Sequence, residues 1–469
     1  MVGRKKETEI LESALKDDKS RFIAIYGRRR IGKTFLVREI FYDNFTFSHA
    51  GISGGSLKDQ LRAFEGSLKD AGYTGARIEN WLGAFEELKE LIRKSTERRK
   101  VIFIDELSWM DTPKSGLVMA LENFWNGWAS ARKDIVLIVC ASATSWMLSN
   151  VVHNKGGLYN RLTDQIHLSS FTLSECEMLA KDAGISFNRS QILQYYMIFG
   201  GVPYYWTFLR KGESLAQNVD RILFAEDAPL KQEFNYLFAS IFKNPTNHLK
   251  IIAALGKKKV GMTREELIDA TGLANSGELT VKLEELESCG FIRKYNAFGM
   301  KKKNSIYQLI DFFTLFYYRF VENEPTDEHF WTNRINTPEI NTWTGLAFER
   351  VCFRHINNIK EKLGILGVST DINSWYCKAD LDQGLFGSQI DLLIVRKDQV
   401  INLCEMKYSG SDYTVTEKVD SSIRHKISDF VNVTGTKYAI YPTLITTYGI
   451  VENSYSGNIQ SVITMDDLF

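Results

Sequence analysis

The segment Gly27-Arg28-Arg29-Arg30-Ile31-Gly32-Lys33-Thr34 constrains what this chain can fold into more than any other feature. It follows the apolar run RFIAIY and precedes the amphipathic stretch FLVREIF. The spacing G-x-x-x-x-G-K-T in that setting predicts a strand, a tight loop and a helix. Two glycines let successive backbone N–H groups curl around a phosphate, and the helix that follows adds the positive end of its dipole. The expected cradle runs from Gly27 to Phe35. Lys33 should reach the β- and γ-phosphates of ATP or ADP, and the Thr34 hydroxyl should ligate Mg2+.

The surrounding pattern agrees. Short, nearly continuous apolar runs (RFIAIYG, NFTFSHA, VIFIDEL, DIVLIVCAS and DQIHLSS) alternate with amphipathic stretches through the first 170 residues. Strands of this kind are covered on both faces, so an α/β fold with a parallel sheet is expected. VIFID ends in Asp105 and Glu106. Asp105 should hold the magnesium through water, and Glu106 should polarise the attacking water as a general base, which points to hydrolysis as well as binding. Ser142 ends another buried run, where it could sense the γ-phosphate or simply cap the next helix. Arg161 could act as an arginine finger, within one subunit or across two, or form a surface salt bridge.

Composition removes other classes. With 44% hydrophobic and 25% charged residues, the 469-residue chain has the make-up of a folded globular protein of several domains. A net charge of +1 leaves nucleic-acid binding to local patches. The six cysteines stand singly, without the C-x-x-C spacing of a zinc or redox site. No signal peptide and no run near the ~20 apolar residues of a membrane helix is visible, so a cytoplasmic protein without a membrane partner is expected.

Four segments follow from the pattern: 1–170 as the nucleotide-binding core, 171–243 as a helical lid interrupted by GGVP, 244–325 and 330–469. In the third, three helical stretches precede two strands around a basic turn, the signature of a winged helix-turn-helix. Its candidate recognition helix, 278–289, is more acidic than basic, so DNA contact through the Lys301–Lys303 wing and docking of a protein partner both stay open. The run Lys257-Lys258-Lys259 reads as compensation of a helix dipole. A polar stretch at 322–329 reads as a linker. The last segment should open with one long helix, about 342–363. Alternation along QIDLLIVRKDQVINLCEMK places Asp391 with Leu393 and Val395, and Glu405 with Leu403 and Lys407. A three-residue loop, 397–399, would set Asp391 opposite Glu405 so that the two share a metal beside Lys407. Glu349, on an otherwise apolar helical face, needs a partner.

Several motifs in order carry a family resemblance. VGRKKE at 2–7, YGRRRIGKT, IFIDEL, the serine-bearing fourth strand, LYNR at 158–161 and GGVPYY at 200–205 together resemble the archaeal-type ATPase family of STAND/AAA-like P-loop proteins. The resemblance implies a lid whose GGVPYY turn packs near the nucleotide, and places Arg4 and Glu7 close to the adenine. The constellation D-x13-E-x-K resembles the PD-(D/E)-x-K nuclease family, with Ile390 in place of the proline. It implies that Glu349, Asp391 and Glu405 hold a second Mg2+ or Mn2+, with Lys407 activating water. The whole order resembles an architecture of the DUF234 type. Two functions are carried forward: an ATP-driven switch controlling a metal-dependent nuclease, and an ATP-dependent signalling or scaffold protein whose C-terminal domain binds a partner or nucleic acid without cleaving it. A translocating motor, which needs a homo-oligomer, is a third.

Overall fold

The computed structural model describes all residues except Met1, Asp43, Ala76, Lys155, 300–304, Glu324, Leu381 and Gln383. The Lys301–Lys303 wing therefore lies outside the described residues. Among the described residues no helix is long and apolar enough to cross a membrane.

Five parallel strands form the N-terminal sheet: β1 (Arg21–Tyr26), β2 (Phe47–Ala50), β3 (Lys100–Asp105), β4 (Ile135–Ala141) and β5 (Asp164–His167), in the order β2-β3-β4-β1-β5. All seven residues of β4 are buried, as a central strand covered on both faces requires. Separate apolar clusters fill the two faces. One holds Phe22, Ile102, Leu137 and Phe124, and the other Ile23, Val37, Phe103 and Ile138. Because β1 lies between β4 and β5, the loop leaving it opens at the carboxyl edge beside β4 and, beyond that, β3.

The lid follows. Its helices Leu173–Asp182, Arg189–Phe199 and Leu215–Leu223 each start with a reciprocal capping box, through Thr172/Glu175, Asn188/Gln191 and Ser214/Gln217. The break at 200–202 is dictated by packing: a side chain on Gly201 would sit 1.9 Å from the Phe171 carbonyl oxygen. Pro203 then starts the short helix Pro203–Trp206.

Next come the helix Thr246–Gly256, β6 (Met262–Thr263), helices Arg264–Thr271 and Gly277–Ser288, and a hairpin of β7 (Ile292–Tyr295) and β8 (Ile306–Leu309). The three strands pair antiparallel in the order β6-β8-β7. The polar stretch read as a linker leads into backbone that is anchored: the Asp220 carboxylate, on the lid, accepts from the Trp331 and Thr332 amides at 2.7 and 3.1 Å and from the Thr332 hydroxyl at 2.5 Å.

The last segment opens with two helices, Pro338–Arg354 and Ile356–Lys362, where one was expected. Thr337 and Pro338 start the first earlier than expected, and His355, at φ −104° and ψ 29°, leaves helical geometry between them. The sheet comprises β9 (Thr370–Tyr376), β10 (Gln389–Arg396), β11 (Val400–Lys407), β13 (Ala439–Thr446) and β15 (Ser461–Ile463), in the order β15-β13-β11-β10-β9. The small strands β12 (Tyr413–Thr414) and β14 (Ile450–Val451) pair separately. β9, β10 and β11 are antiparallel, whereas β13 and β15 run parallel to β11. The crossover from β11 to β13 contains the helix Glu417–Thr434. Leu392, Ile394, Cys404 and Met406 join a core with Phe348 and Val351 of the first helix, while Leu393, Ile401 and Leu403 pack with Phe430 of the crossover helix. The first of these cores is continuous through the lid and the 246–309 segment, so those parts share apolar packing.

Candidate functional site

The loop after β1 takes the shape its glycines permit. Gly27 has φ +144°, and a side chain there would meet the Leu168 carbonyl oxygen at 2.2 Å. Gly32 has φ +89° with open space where a Cβ would stand. The helix Lys33–Phe41 starts directly afterwards. Around this loop lies a cleft of about 740 Å³, lined by Arg4, Arg29 to Phe35, Glu106 and Ser142 on one side and by Phe171, Leu179, Pro203 and Tyr204 on the other.

Lys33 is the centre of the polar arrangement. Its ammonium is buried and donates to the carbonyls of Gly27 and Arg28 at 2.9 and 3.1 Å and to the Ser142 hydroxyl at 2.9 Å. Burial lowers its pKa, and Glu106 opposes that shift. A buried cation bonded to three neutral oxygens attracts an anion strongly. Ser142, expected to sense phosphate or cap a helix, caps nothing: it donates to Glu106 Oε1 at 2.5 Å, and its amide donates to Glu106 Oε2 at 3.0 Å. Lys33, Ser142 and Glu106 thus form one hydrogen-bonded line. Glu106 is held in the left-handed region at φ +47°, a costly conformation for a residue with a side chain. The Thr34 hydroxyl donates to Asp105 Oδ2 at 2.5 Å. A hydroxyl and a carboxylate meeting at the loop are hard oxygen donors that suit Mg2+, so Thr34 and Asp105 are the residues that would hold it.

Each loop arginine goes to a different part of the chain. Arg28 is buried and ion-paired with Asp311, just past β8, and its guanidinium lies over the Phe291 ring at 5.0 Å. Arg29 lies over Trp109 at 5.9 Å. Arg30, at φ +70°, pairs with buried Glu233 at 2.7 Å and stacks on Tyr204 at 4.0 Å. Arg4 is buried over Phe171 and donates to the Ser169 carbonyl at 2.6 Å, with Glu7 4.0 Å away. Ile31 is buried and Phe35 exposed at the cleft. Arg161 is exposed and is not among the residues lining the cleft. Asp311, Glu233, Leu179 and Tyr204 were not named as site residues from sequence. Tyr204 lies within the quoted GGVPYY turn, but the others have no local pattern to mark them.

The C-terminal carboxylates are distributed differently from the alternation argument. The loop pairs Val395 with Ile401 and Leu392 with Cys404, the expected register. On its other edge, however, β10 is irregular between Ile390 and Leu393, so strict alternation does not carry through Asp391. Asp391 acts on Glu349: burial first, then this neighbouring carboxylate, pushes the Glu349 pKa up. The partner that Glu349 needs is Lys259, at 2.6 Å. Lys259, expected to compensate a helix dipole, instead stands in the turn beyond its helix and reaches across to the 338–354 helix. Glu405 pairs with Lys407 at 2.8 Å and Lys426 at 2.7 Å. Burial opposes its ionisation, but Lys426 and Lys407 outweigh it and hold the carboxyl below the usual range. Among the described residues no three His, Cys, Asp or Glu side chains come together as a metal-holding group. Lysines thus occupy two of the three carboxylates expected to share a metal, Glu349 and Glu405.

A family described as "ATPase domain predominantly from Archaea" matches residues 1–207. The uncharacterized protein MJECL04 of Methanocaldococcus jannaschii is 24% identical over 422 residues, covering 87% of this chain and 87% of its own. The uncharacterized ATP-binding protein MJ0423 of the same organism is 43% identical over 51 residues, 11% of this chain and 85% of its own. The Walker-type ATPase paby2304 of Pyrococcus abyssi covers 68% of this chain and 96% of its own at 13% identity, with a TM-score of 0.45, too low to carry an argument. The matched residues 1–207 hold the phosphate loop, Asp105 and Glu106, and are similar there to an ATPase domain found predominantly in Archaea.

Proposed function

We propose that this chain is an ATP-hydrolysing switch whose nucleotide state is passed to its C-terminal half. The observation that carries this reading is the line from Lys33 through Ser142 to Glu106. Phosphate arriving at the loop competes for the Lys33 ammonium. That leaves Ser142 donating to Glu106 through its hydroxyl and amide, which holds the carboxylate in place while its remaining lone pairs are available to take a proton from water. Bound Mg2+ would neutralise phosphate charge and orient the β- and γ-oxygens. Thr34 and Asp105 would place it, and the backbone N–H groups of the loop would fix the phosphates. Arg4, Phe171 and Tyr204 would flank the base. The test is Glu106→Gln, which should bind ATP as wild type does yet hydrolyse it roughly 10²–10⁴-fold more slowly. Normal turnover in that variant would remove Glu106 as the base.

For residues 246–309 we read a winged helix, supported by the order helix, strand, helix, helix and hairpin. Its third helix sets four glutamates, Glu278, Glu284, Glu285 and Glu287, against the single lysine Lys282, which favours a protein partner over DNA. For the C-terminal segment we read a restriction-endonuclease-like fold, supported by a first helix, an antiparallel meander β9-β10-β11, a crossover helix and a parallel β13. Two outputs are open to it. Metal-dependent cleavage of nucleic acid by Glu349, Asp391, Glu405 and Lys407 is the first. It predicts Mn2+-dependent cleavage lost in Asp391→Ala. Binding without cleavage, as a scaffold, is the second, and the lysines seated on Glu349 and Glu405 favour it. Exposure of Arg161 leaves action across two subunits as the arginine-finger role to test, by asking whether Arg161→Ala slows hydrolysis only at concentrations where the chain self-associates.

A further inference from the structure

The matched ATPase domain ends at residue 207, yet the loop that should hold the phosphates is pinned from well beyond it. Arg28 is the first variable residue of the loop. Its side chain is 7% exposed, and its Nη1 pairs with Oδ2 of Asp311, also 7% exposed, while Nη2 lies 3.4 Å from Oδ1. Burial disfavours the guanidinium charge, and Asp311 more than compensates, raising the Arg28 pKa. The same Arg28 offers its carbonyl to the Lys33 ammonium at 3.1 Å. One residue therefore joins the lysine of the phosphate site to a carboxylate 283 positions away in sequence.

Asp311 is itself immobilised. It sits where β8 ends and the helix Phe312–Phe316 begins, and its Oδ1 accepts from the Thr314 amide at 2.9 Å and from the Thr314 hydroxyl at 2.5 Å. Four donors thus converge on one buried carboxylate, which fixes its orientation as well as its charge. The Phe291 ring, at the start of the hairpin, covers the guanidinium. Glu233 plays the matching part for Arg30 at the far end of the loop, with the Tyr205 hydroxyl donating to it at 3.1 Å. A phosphate loop acts through preorganised backbone N–H groups, and a loop of two glycines and three long cationic side chains has much freedom to lose on ordering. Anchoring the arginines outside the cradle removes that freedom before phosphate arrives. It also keeps their charges from collapsing onto the neighbouring carboxylates Asp105 and Glu106.

We infer that Asp311 is a positioning residue for nucleotide binding: through Arg28 it holds the phosphate loop and the Lys33 ammonium in the receptive geometry, so that the ATP site is completed by the segment that follows β8. This rests on the reading of the cleft as an ATP site, which direct binding of ATP to the wild-type chain checks independently.

The experiment is calorimetric titration of the full-length chain with ATP and, separately, with adenosine, for wild type, Asp311→Asn and Asp311→Glu. Asn keeps a side-chain oxygen for the Thr314 amide but removes the charge facing Arg28. The expected result is at least a tenfold loss of ATP affinity in Asp311→Asn with adenosine affinity within twofold of wild type, and recovery of most of the ATP affinity in Asp311→Glu. A parallel loss of adenosine and ATP would mean general damage to the fold and would overturn the inference. So would ATP affinity in Asp311→Asn within twofold of wild type, or equal losses in the Asn and Glu variants. Should wild type itself fail to bind ATP, the underlying reading falls and the positioning role falls with it.

Discussion

Lowering the pH should open the junction between lid and C-terminal domain, and the size of the effect follows from one imidazole. His355 is 2% exposed between the two C-terminal helices. Its Nε2 lies 3.1 Å from the Leu173 amide, which donates to it, and its Nδ1 lies 2.9 Å from the Val351 carbonyl, to which it donates. Both nitrogens are thus committed in the neutral form, and a second proton would place N–H against N–H. Burial, with Arg354 adding to it, lowers the pKa from 6.5 to about 4. Between those values the unfolded chain binds a proton that the folded chain refuses. Stability is therefore full above about pH 6.5 and declines as the pH falls towards about 4. At about 1.4 kcal/mol per pH unit, one such histidine costs about 2 kcal/mol by pH 5 and about 3 kcal/mol at the lower limit. His49 on β2, 4% exposed and also drawn by burial from 6.5 to about 4, adds a second contribution of the same sign within the ATPase sheet. Amide exchange at Leu173, corrected for intrinsic rates and followed from pH 7 to pH 4, reports the junction directly. His355→Gln should flatten its pH dependence by about one proton's worth of slope, about 1.4 kcal/mol per unit. If His355→Gln and wild type show the same slope, the buried neutral imidazole is not what links them.

Other perturbations probe other parts of the chain. Lys33→Ala removes the charge-assisted contacts to phosphate, each worth about 1.5–3 kcal/mol, and should weaken ATP binding by at least tenfold in the calorimeter. Ser142→Ala should leave nucleotide affinity nearly unchanged while altering the pH profile of turnover, since it removes the hydroxyl that ties Glu106 to Lys33; an unaltered profile would break that link. Lys259→Gln frees Glu349 beside Asp391 and should raise Mn2+ affinity measured without nucleotide, an increase that Asp391→Asn reverses; no increase would leave partner binding as the reading for that domain. Asp220→Ala would strand the buried amide of Trp331 and the part-buried amide of Thr332, lower stability by about 3 kcal/mol and expose residues 322–334 to protease, which limited proteolysis would detect.

Much of the ATPase half was legible in sequence because its signals are local. Gly27, Gly32, Lys33 and Thr34 lie within one loop, the five apolar runs became β1 to β5, and Asp105 and Glu106 fall where a buried strand must end. The three-residue loop between β10 and β11 was legible for the same reason, since hairpin register follows from loop length. Faces were less secure. Alternation holds only along a regular strand, and the irregularity between Ile390 and Leu393 turned Asp391 towards the surroundings of Glu349. His355 likewise interrupted a helix whose apolar pattern runs straight through it.

By itself, then, the sequence determined that a phosphate-binding loop leaves a buried parallel strand, with its lysine, threonine and two carboxylates. The tertiary structure alone decided who holds that loop in shape. Arg28, Arg29 and Arg30 read as three equivalent cations in the sequence, and nothing nearby distinguishes them. Folding sends them to Asp311, Trp109 and Glu233. Lys259, one of three consecutive lysines, is singled out only by where Glu349 comes to rest. Charge has no sequence period of its own. A buried charge must find a partner to offset desolvation, but which partner depends on which distant segments the apolar cores bring together.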